Sequence, residues 1–330
     1  MTLCFWNIFT NIAVVFNKIG IMKRRDFLRA SAALGISALT FDKLQAALAT
    51  NTMMVESAPD MVAVMGGEPA QLLDRALKEM GGIEKFVKKG QSVVIKPNIG
   101  WDKKPEFAAN TNPDLVKALV EQCFKAGARK VSVLDHTCDN WQKCYESSGI
   151  KKAAESAGAT VLPANDDIYY TEVKLPQAVI LKSTKIHKAL LDTDVWFNVP
   201  ILKTHDGAQM TIAMKNYMGI VLDRPYFHAN NLQQCIADVC TWEKKPALNI
   251  VDAYRILLKN GPQGRSPSDA YPMKTIIVSK DIVAADTAAV AQFNTAQPMD
   301  INKVGHILIG ERMKLGTRDI NSLNVKRFKI

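Results

Sequence analysis

From residue 61 onward, short β-branched runs alternate with stretches whose apolar residues recur every three to four positions. Residues 61–65 read as a strand and 69–80 as a helix that buries Ala70, Leu73, Ala76, Leu77 and Met80. A fully buried strand at 92–95 leads through a loop to Asn112, which caps a helix with Pro113 at its first position and Leu115, Leu119, Val120 and Cys123 on its apolar face. Gly127 ends that helix, and strands at 130–134 and 160–162 flank another at 147–157. Residues 169–175 and 178–183 read as a hairpin and 195–199 as a strand, followed by helices at 211–218 and 232–242. Buried strands at 248–251 and 275–278 and an Ala-rich helix at 282–293 complete the pattern. Strands alternating with helices of this length predict an α/β fold: a mainly parallel central sheet, Rossmann-like, with helices on both faces and a small irregular insertion around 164–190.

Composition supports a real core. The chain has 330 residues, 48% hydrophobic and 22% charged, which excludes disordered, collagen-like and disulfide-scaffold classes. Its net charge of +10 divides unevenly. Residues 1–49 contribute +4, and the remaining 281 residues carry 36 bases against 30 acids. So mild and dispersed a surplus argues against nucleic acid as a partner.

The charged N-terminal segment has its own logic. Lys23-Arg24-Arg25-Asp26-Phe27-Leu28-Arg29 precedes a short apolar run from Ala30 to Phe41 and then Ala47-Leu48-Ala49. A basic region, a short apolar region and a small-x-small site together describe a secretory signal, here of the twin-arginine type. The run is too short to span a bilayer, so no stable membrane span is expected in the mature protein. The expectation is an N-terminal extension and signal peptide over 1–49, with Met22 as the start, and a single α/β domain over 50–330 that is exported, periplasmic or beyond, by the twin-arginine machinery. Cys123, Cys138, Cys144, Cys235 and Cys240 form no Cys-x-x-Cys pair, so ferredoxin-type and zinc-ribbon patterns are absent. Cys138 and Cys144 are close enough in sequence to bridge in an oxidising compartment.

In open parallel sheets, ligands bind beyond the carboxyl ends of the strands. Several expected strands are followed by chemistry-bearing residues: Lys96-Pro97-Asn98, Asp135-His136-Thr137, Lys203-Thr204-His205 with Lys215-Asn216 nearby, Asp252, and Lys280-Asp281. Such a set can hold a phosphate or carboxylate through ammonium groups, or a metal through His205, Asp252 and Asp281. A desolvated lysine can also act as a base or a Schiff-base nucleophile. Lys203, His205 and Asp252 are the catalytic candidates, with Lys96, Asn98, Asp135, Lys215 and Asn216 for ligand binding. His187, His228 and His306 read as surface or packing residues, Gly261-Pro262-Gln263-Gly264 as a turn placed to cover the site, Asp281 as a helix cap, and Asp286 as a buried acid in need of a partner.

Lys96-Pro97-Asn98, Asn198 through His205, Met214 through Gly219, Ile250 through Ala253, Gly261 through Gly264 and Asp281 through Asp286 resemble the motifs of the family called domain of unknown function 362. The resemblance runs from about residue 90 to 295. It implies little about chemistry, since the family is largely uncharacterised; some members are fused to ferredoxin-like iron–sulfur modules, which this chain lacks, and exported members with twin-arginine signals occur. The expected function is an exported protein that binds an anionic small molecule, with or without a metal cofactor, as an enzyme or redox accessory. The alternative is a non-catalytic periplasmic binding or assembly protein.

Overall fold

The computed structural model of the protein describes residues 58–330; the signal peptide expected at 1–49 and the start at Met22 lie outside the described residues. The chain order is β1 (Met61–Met65), α1 (Pro69–Glu79), β2 (Ser92–Pro97), α2 (Pro113–Lys125), β3 (Lys130–Val133), α3 (Trp141–Ser147), α4 (Ile150–Ser156) and β4 (Thr160–Val161). Next come β5 (Tyr170–Lys174), β6 (Ser183–His187), α5 (Lys188–Asp192), β7 (Val195–Val199), β8 (Ile201–His205), β9 (Gln209–Thr211), α6 (Ala213–Asn216), α7 (Pro225–Ala229) and α8 (Leu232–Val239). The long strands β10 (Leu248–Leu257) and β11 (Ala270–Ser279), then α9 (Ile282–Phe293), α10 (Gly305–Arg312) and β12 (Val325–Lys329), complete it.

The main sheet has the order β12-β1-β11-β10-β7-β2-β3-β4, with β8 paired to β10 and β9 to β8. Most pairings are parallel; β11 runs against both β1 and β10, and β9 against β8. Successive strand residues point to opposite faces and so divide between two cores. Val93 and Ile95 pack with α1 to α4 on one side, through residues such as Leu73, Leu119, Tyr145 and Ile150. Val94 and Trp196 pack on the other side with Ile236 of α8, Val290 of α9 and Ile307 of α10. Helices therefore cover both faces, as the periodicity predicts. Among the described residues no helix is long and apolar enough to cross a membrane.

Local signals explain most boundaries. The Asn112 side chain accepts the Asp114 N–H at 2.9 Å, and Pro113 opens α2 as expected. The insertion is a separate two-stranded sheet, β5 with β6, in which Tyr170 lies opposite His187 and Lys174 opposite Ser183. Its second strand begins where the sequence pattern ends it. Residues 178–181 instead fold around Asp238, whose carboxylate accepts the N–H groups of Val179, Ile180 and Leu181, with Ala178 and Leu181 buried and Val179 exposed. The helix expected at 211–218 is likewise shorter. Thr211 belongs to a β8–β9 hairpin, and only Ala213–Asn216 is α-helical before a tighter turn over Tyr217–Ile220. All five cysteines among the described residues are free, with Cys144 buried and Cys138 exposed, so the bridge considered between them is not formed.

One feature of the topology positions the site. From β2 the chain builds outward through β3 to β4 and then returns to place β7 on the other side of β2. The strand order thus reverses at β2 and β7, and a reversal of this kind opens a crevice above the carboxyl ends of the two strands.

Candidate functional site

A cavity of about 650 Å³ lies at that edge. Lys96 and Asn98 reach it from the end of β2, Asp135, His136 and Cys138 from the loop after β3, Lys203 and His205 from β8, and Thr211 from β9. Lys215 and Asn216 enter from α6, and Arg224 and His228 from the segment leading into and through α7. Pro262 and Gln263 also line it, so the turn after β10 does border the site. The backbone there lies against the hairpin: a Cβ at Gly261 would stand 1.9 Å from the Thr204 carbonyl oxygen, which leaves glycine as the residue that fits.

The three lysines differ in environment. Lys96 is fully buried, its Nζ 2.9 Å from Asp135 Oδ1 and donating to Asn216 Oδ1 at 2.6 Å. Burial pulls Lys96 below its ordinary value, and the Asp135 carboxylate opposes that pull. The pair leaves no room above it. A Cβ at Gly219 would lie 1.8 Å from Asp135 Oδ1 and 2.5 Å from Lys96 Nζ. Lys203, equally buried, has no carboxylate: its Nζ donates to Asn98 Oδ1 at 3.1 Å and to the Ala109 carbonyl oxygen. Burial draws it down to about 7, with the nearby Lys215 adding to the effect. Lys215 is half-buried, touches Met218 Sδ at 3.5 Å, and is lowered to about 8 by burial and by the charges of Arg224 and Lys96.

Amide side chains hold these groups in place. Asn216 donates to Asn198 Oδ1 at 2.8 Å and to the Lys96 carbonyl, while its Oδ1 also accepts from Asn98 Nδ2 at 3.2 Å. Asn198 in turn donates to the Ala213 carbonyl and to Asn249 Oδ1. The helix carrying Lys215 and Asn216 is anchored by Asp286, whose buried carboxylate accepts the N–H groups of Ala213 at 2.7 Å and Met214 at 3.1 Å. That is the partner its place in an apolar helix demands. Burial raises Asp286 to about 8 even so.

The histidines are held neutral. His136 Nδ1 is 2.8 Å from the Val221 carbonyl; a carbonyl only accepts, so Nδ1 carries the proton and Nε2 keeps its lone pair. Burial and the Arg224 charge lower its pKa. His205 Nδ1 accepts the Ala208 N–H at 3.2 Å, and burial with the Lys215 and Lys203 charges pushes its pKa far down. Arg224 donates to the carbonyls of His136 and Thr137 and to Cys138 Sγ at 3.2 Å. Thr211, opposite Lys203 in the β8–β9 pairing, is buried on the cavity wall with its hydroxyl unpartnered.

Of the candidates read from the sequence, Lys96, Asn98, Asp135, Lys203, His205, Lys215 and Asn216 come together here. Asp252 and Asp281 do not. Strand β10 does not stop at Val251 but runs on to Leu257, and the Asp252 carboxylate accepts the N–H groups of Asn112 at 2.7 Å and Tyr254 at 3.0 Å. Burial raises Asp252 to about 6. Because β11 is antiparallel, its carboxyl end points away from the crevice; Asp281 caps α9 through Ala284 N and also accepts Thr317 N, and Lys280 lies over the Phe86 ring. The metal set His205, Asp252 and Asp281 is therefore dispersed. Among the described residues no three His, Cys, Asp or Glu side chains are placed to hold a metal ion. The sequence pattern left out Arg224, Cys138, Thr211 and the rim residue His228, none of which directly follows a strand of the parallel set.

Comparison with known proteins bears on the family. Residues 93–291 match the model described as domain of unknown function (DUF362). A thylakoid-associated protein of Synechocystis sp. is 24% identical over 218 residues, which cover 64% of this chain and 65% of that protein's length. Among solved structures, the lactate racemase apoprotein of Thermoanaerobacterium thermosaccharolyticum aligns with 12% identity and a TM-score of 0.40, over 71% of this chain and 57% of that one. A structural-genomics protein of Thermotoga maritima aligns with 10% identity and a TM-score of 0.42, over 74% and 60%. The matched region runs from β2 into α9 and includes every lysine, asparagine and histidine that lines the cavity: this chain belongs to the domain of unknown function 362 family.

Proposed function

We propose that the cavity binds a small anionic molecule, a carboxylate or a phosphate, and that the protein acts on it as an enzyme in which neutral His136 accepts and returns a proton. The observation that carries this reading is the set of cations. Lys215 and Arg224 line one cavity, and neither of them forms an ion pair among the described residues, whereas Lys96 below them is paired with Asp135. Cations gathered in a partly desolvated crevice repel one another until an anion enters. Neutral His136, with its Nε2 lone pair open, suits proton transfer near pH 7.

Calorimetric titration of the protein with phosphate and with oxalate tests the reading. Binding takes up protons, because an anion favours the charged form of Lys215, so affinity should fall as pH rises through about 8. Lys215→Ala, at a half-buried position that tolerates truncation, should weaken binding about tenfold or more, the usual scale of one lost charged contact. Affinity that is flat from pH 6 to 9 and indifferent to Lys215 would rule the site out. Ligand retention without turnover of any tested carboxylate or phosphate ester would favour a binding protein over an enzyme.

The same proposal includes export. The Arg24-Arg25 motif and the apolar run after it support a twin-arginine address. Lys substitution of both arginines should hold the protein in the cytoplasm of the producing cell; unchanged secretion removes the address.

A further inference from the structure

Resting on the anion reading, we infer that Lys203 is an imine-forming nucleophile and that the cavity takes a carbonyl compound bearing an adjacent carboxylate, a 2-oxo acid. The argument begins with the amine. A neutral primary amine has two N–H bonds and one lone pair. Lys203 Nζ faces two acceptors, Asn98 Oδ1 and the Ala109 carbonyl oxygen, which together engage both N–H bonds and leave the lone pair unengaged. An ammonium at the same place would carry a third N–H without a partner. Lys96 shows the contrast: it is as deeply buried, but the Asp135 carboxylate at 2.9 Å favours its charged form. Desolvation without a counter-ion is the environment that makes a lysine nucleophilic.

The surroundings define the electrophile. Thr211 stands opposite Lys203 in the hairpin, its buried hydroxyl without a partner on the same cavity wall, a donor for the oxygen of a carbonyl brought to the amine. Lys215 and Arg224 supply the positive charge that a carboxylate next to that carbonyl requires. A cavity of about 650 Å³ accommodates substituents well beyond three carbons. In the step itself the Lys203 lone pair attacks the carbonyl carbon and the C=O π pair moves to oxygen. The oxygen then leaves as water with one amine proton and one proton from solvent, and the C=N bond forms. One N–H remains on the iminium nitrogen, where Asn98 or the Ala109 carbonyl can accept it. The lowered pKa of Lys203 supplies the neutral amine near pH 7.

Pyruvate is the probe, and borohydride reduction makes the adduct permanent. The full chain is incubated with pyruvate and sodium borohydride, digested and mapped by mass spectrometry, while calorimetry follows binding of oxamate, an isostere of pyruvate whose amide carbonyl does not form an imine. The expected result is a reduced pyruvate adduct on Lys203 at concentrations that leave exposed lysines unmodified, suppressed by excess oxamate and at least tenfold weaker in Lys203→Arg. The wild-type map needs no variant, so a failure of Lys203→Arg to fold does not cloud it. Oxamate binding without a Lys203 adduct, or an adduct spread evenly over exposed lysines, overturns the imine and leaves anion binding standing. Absence of both oxamate binding and adduct overturns the two together.

Discussion

Asp135 and Asp252 are buried to the same degree, about 2% and 1% exposed, yet their surroundings give them opposite roles. Asp135 follows β3 in the parallel half; one oxygen meets Lys96 and the other accepts the Ile99 N–H, and the pair forms the floor of the cavity. Asp252 lies within β10, where the sheet turns antiparallel, and meets only backbone N–H groups, which fasten β10 to the start of α2. A buried carboxylate with a cation partner belongs to a charge network that a ligand can enter. One satisfied by backbone amides is part of the frame. Position along the strand decides between them, since β10 runs parallel to β7 but continues past Asp252 to Leu257, whereas β3 ends at Val133 and releases Asp135 into the loop that lines the crevice.

The largest expected effect tests the parallel half. In Gly219→Ala the new methyl group must displace Asp135 Oδ1 or Lys96 Nζ, and although both are side-chain ends, both are buried and locked to each other. Breaking a buried ion pair costs about 3–5 kcal/mol, so denaturant unfolding should show a loss of that order, with oxalate and phosphate binding lost in the same variant. A cost below about 1 kcal/mol would mean that the pair has slack, and the cavity floor is not the fixed element described here.

The carboxylate inside β10 should behave differently. Asp252→Ala leaves the Asn112 and Tyr254 N–H groups without their acceptor, a loss of about 1–3 kcal/mol, while anion affinity changes less than about twofold. Titration sharpens the contrast. In the folded protein Asp252 keeps its proton up to about 6, and an unfolded aspartate gives it up near 4. The native state therefore binds more protons between those values, and stability falls as pH rises from about 4 to about 6, then levels. Asp252→Asn does not titrate, so the difference between wild type and variant should drift in the variant's favour over that window. A flat difference would show that the carboxylate stays ionised and that its two backbone donors outweigh its burial.

Much of this was legible in the sequence because periodicity records burial on both faces of a sheet. The alternating strands, the Asn112 cap and the cluster of Lys96, Lys203, Lys215 and Asn216 follow from it directly. Direction is not legible: 275–278 reads the same in a parallel or antiparallel strand, so the pattern alone puts Asp281 and Lys280 at the wrong edge. Strand length was also hidden, because Asp252 looks like the end of a buried run when it is a polar residue inside β10. Arg224 and Thr211 carried no local signal, as they reach the cavity from an irregular segment and from a three-residue strand. Their positions depend on long-range packing that local patterning does not encode. Gly219 was quoted within a motif, but the reason for it, the carboxylate and amine beneath, appears only in three dimensions.

The smallest expected effect lies at Asp281, which caps α9 from the edge opposite the cavity. Its side chain accepts Ala284 N at 2.8 Å and Thr317 N at 2.9 Å, so Asp281→Ala should cost about 1 kcal/mol by thermal unfolding, the usual value of a lost cap. The same helix carries Asp286, which holds the start of α6 and with it Lys215 and Asn216. The helix thus connects the frame to the site, and the variant asks how rigidly. Loss of a cap frays the first turn and leaves later turns packed, and Asp286 lies beyond that turn among Val283, Ala289 and Val290, all buried. Anion affinity in Asp281→Ala should accordingly match that of wild type. A tenfold loss of affinity alongside so small a loss of stability would show that fraying reaches Asp286, and the separation of frame from site would then fail along α9.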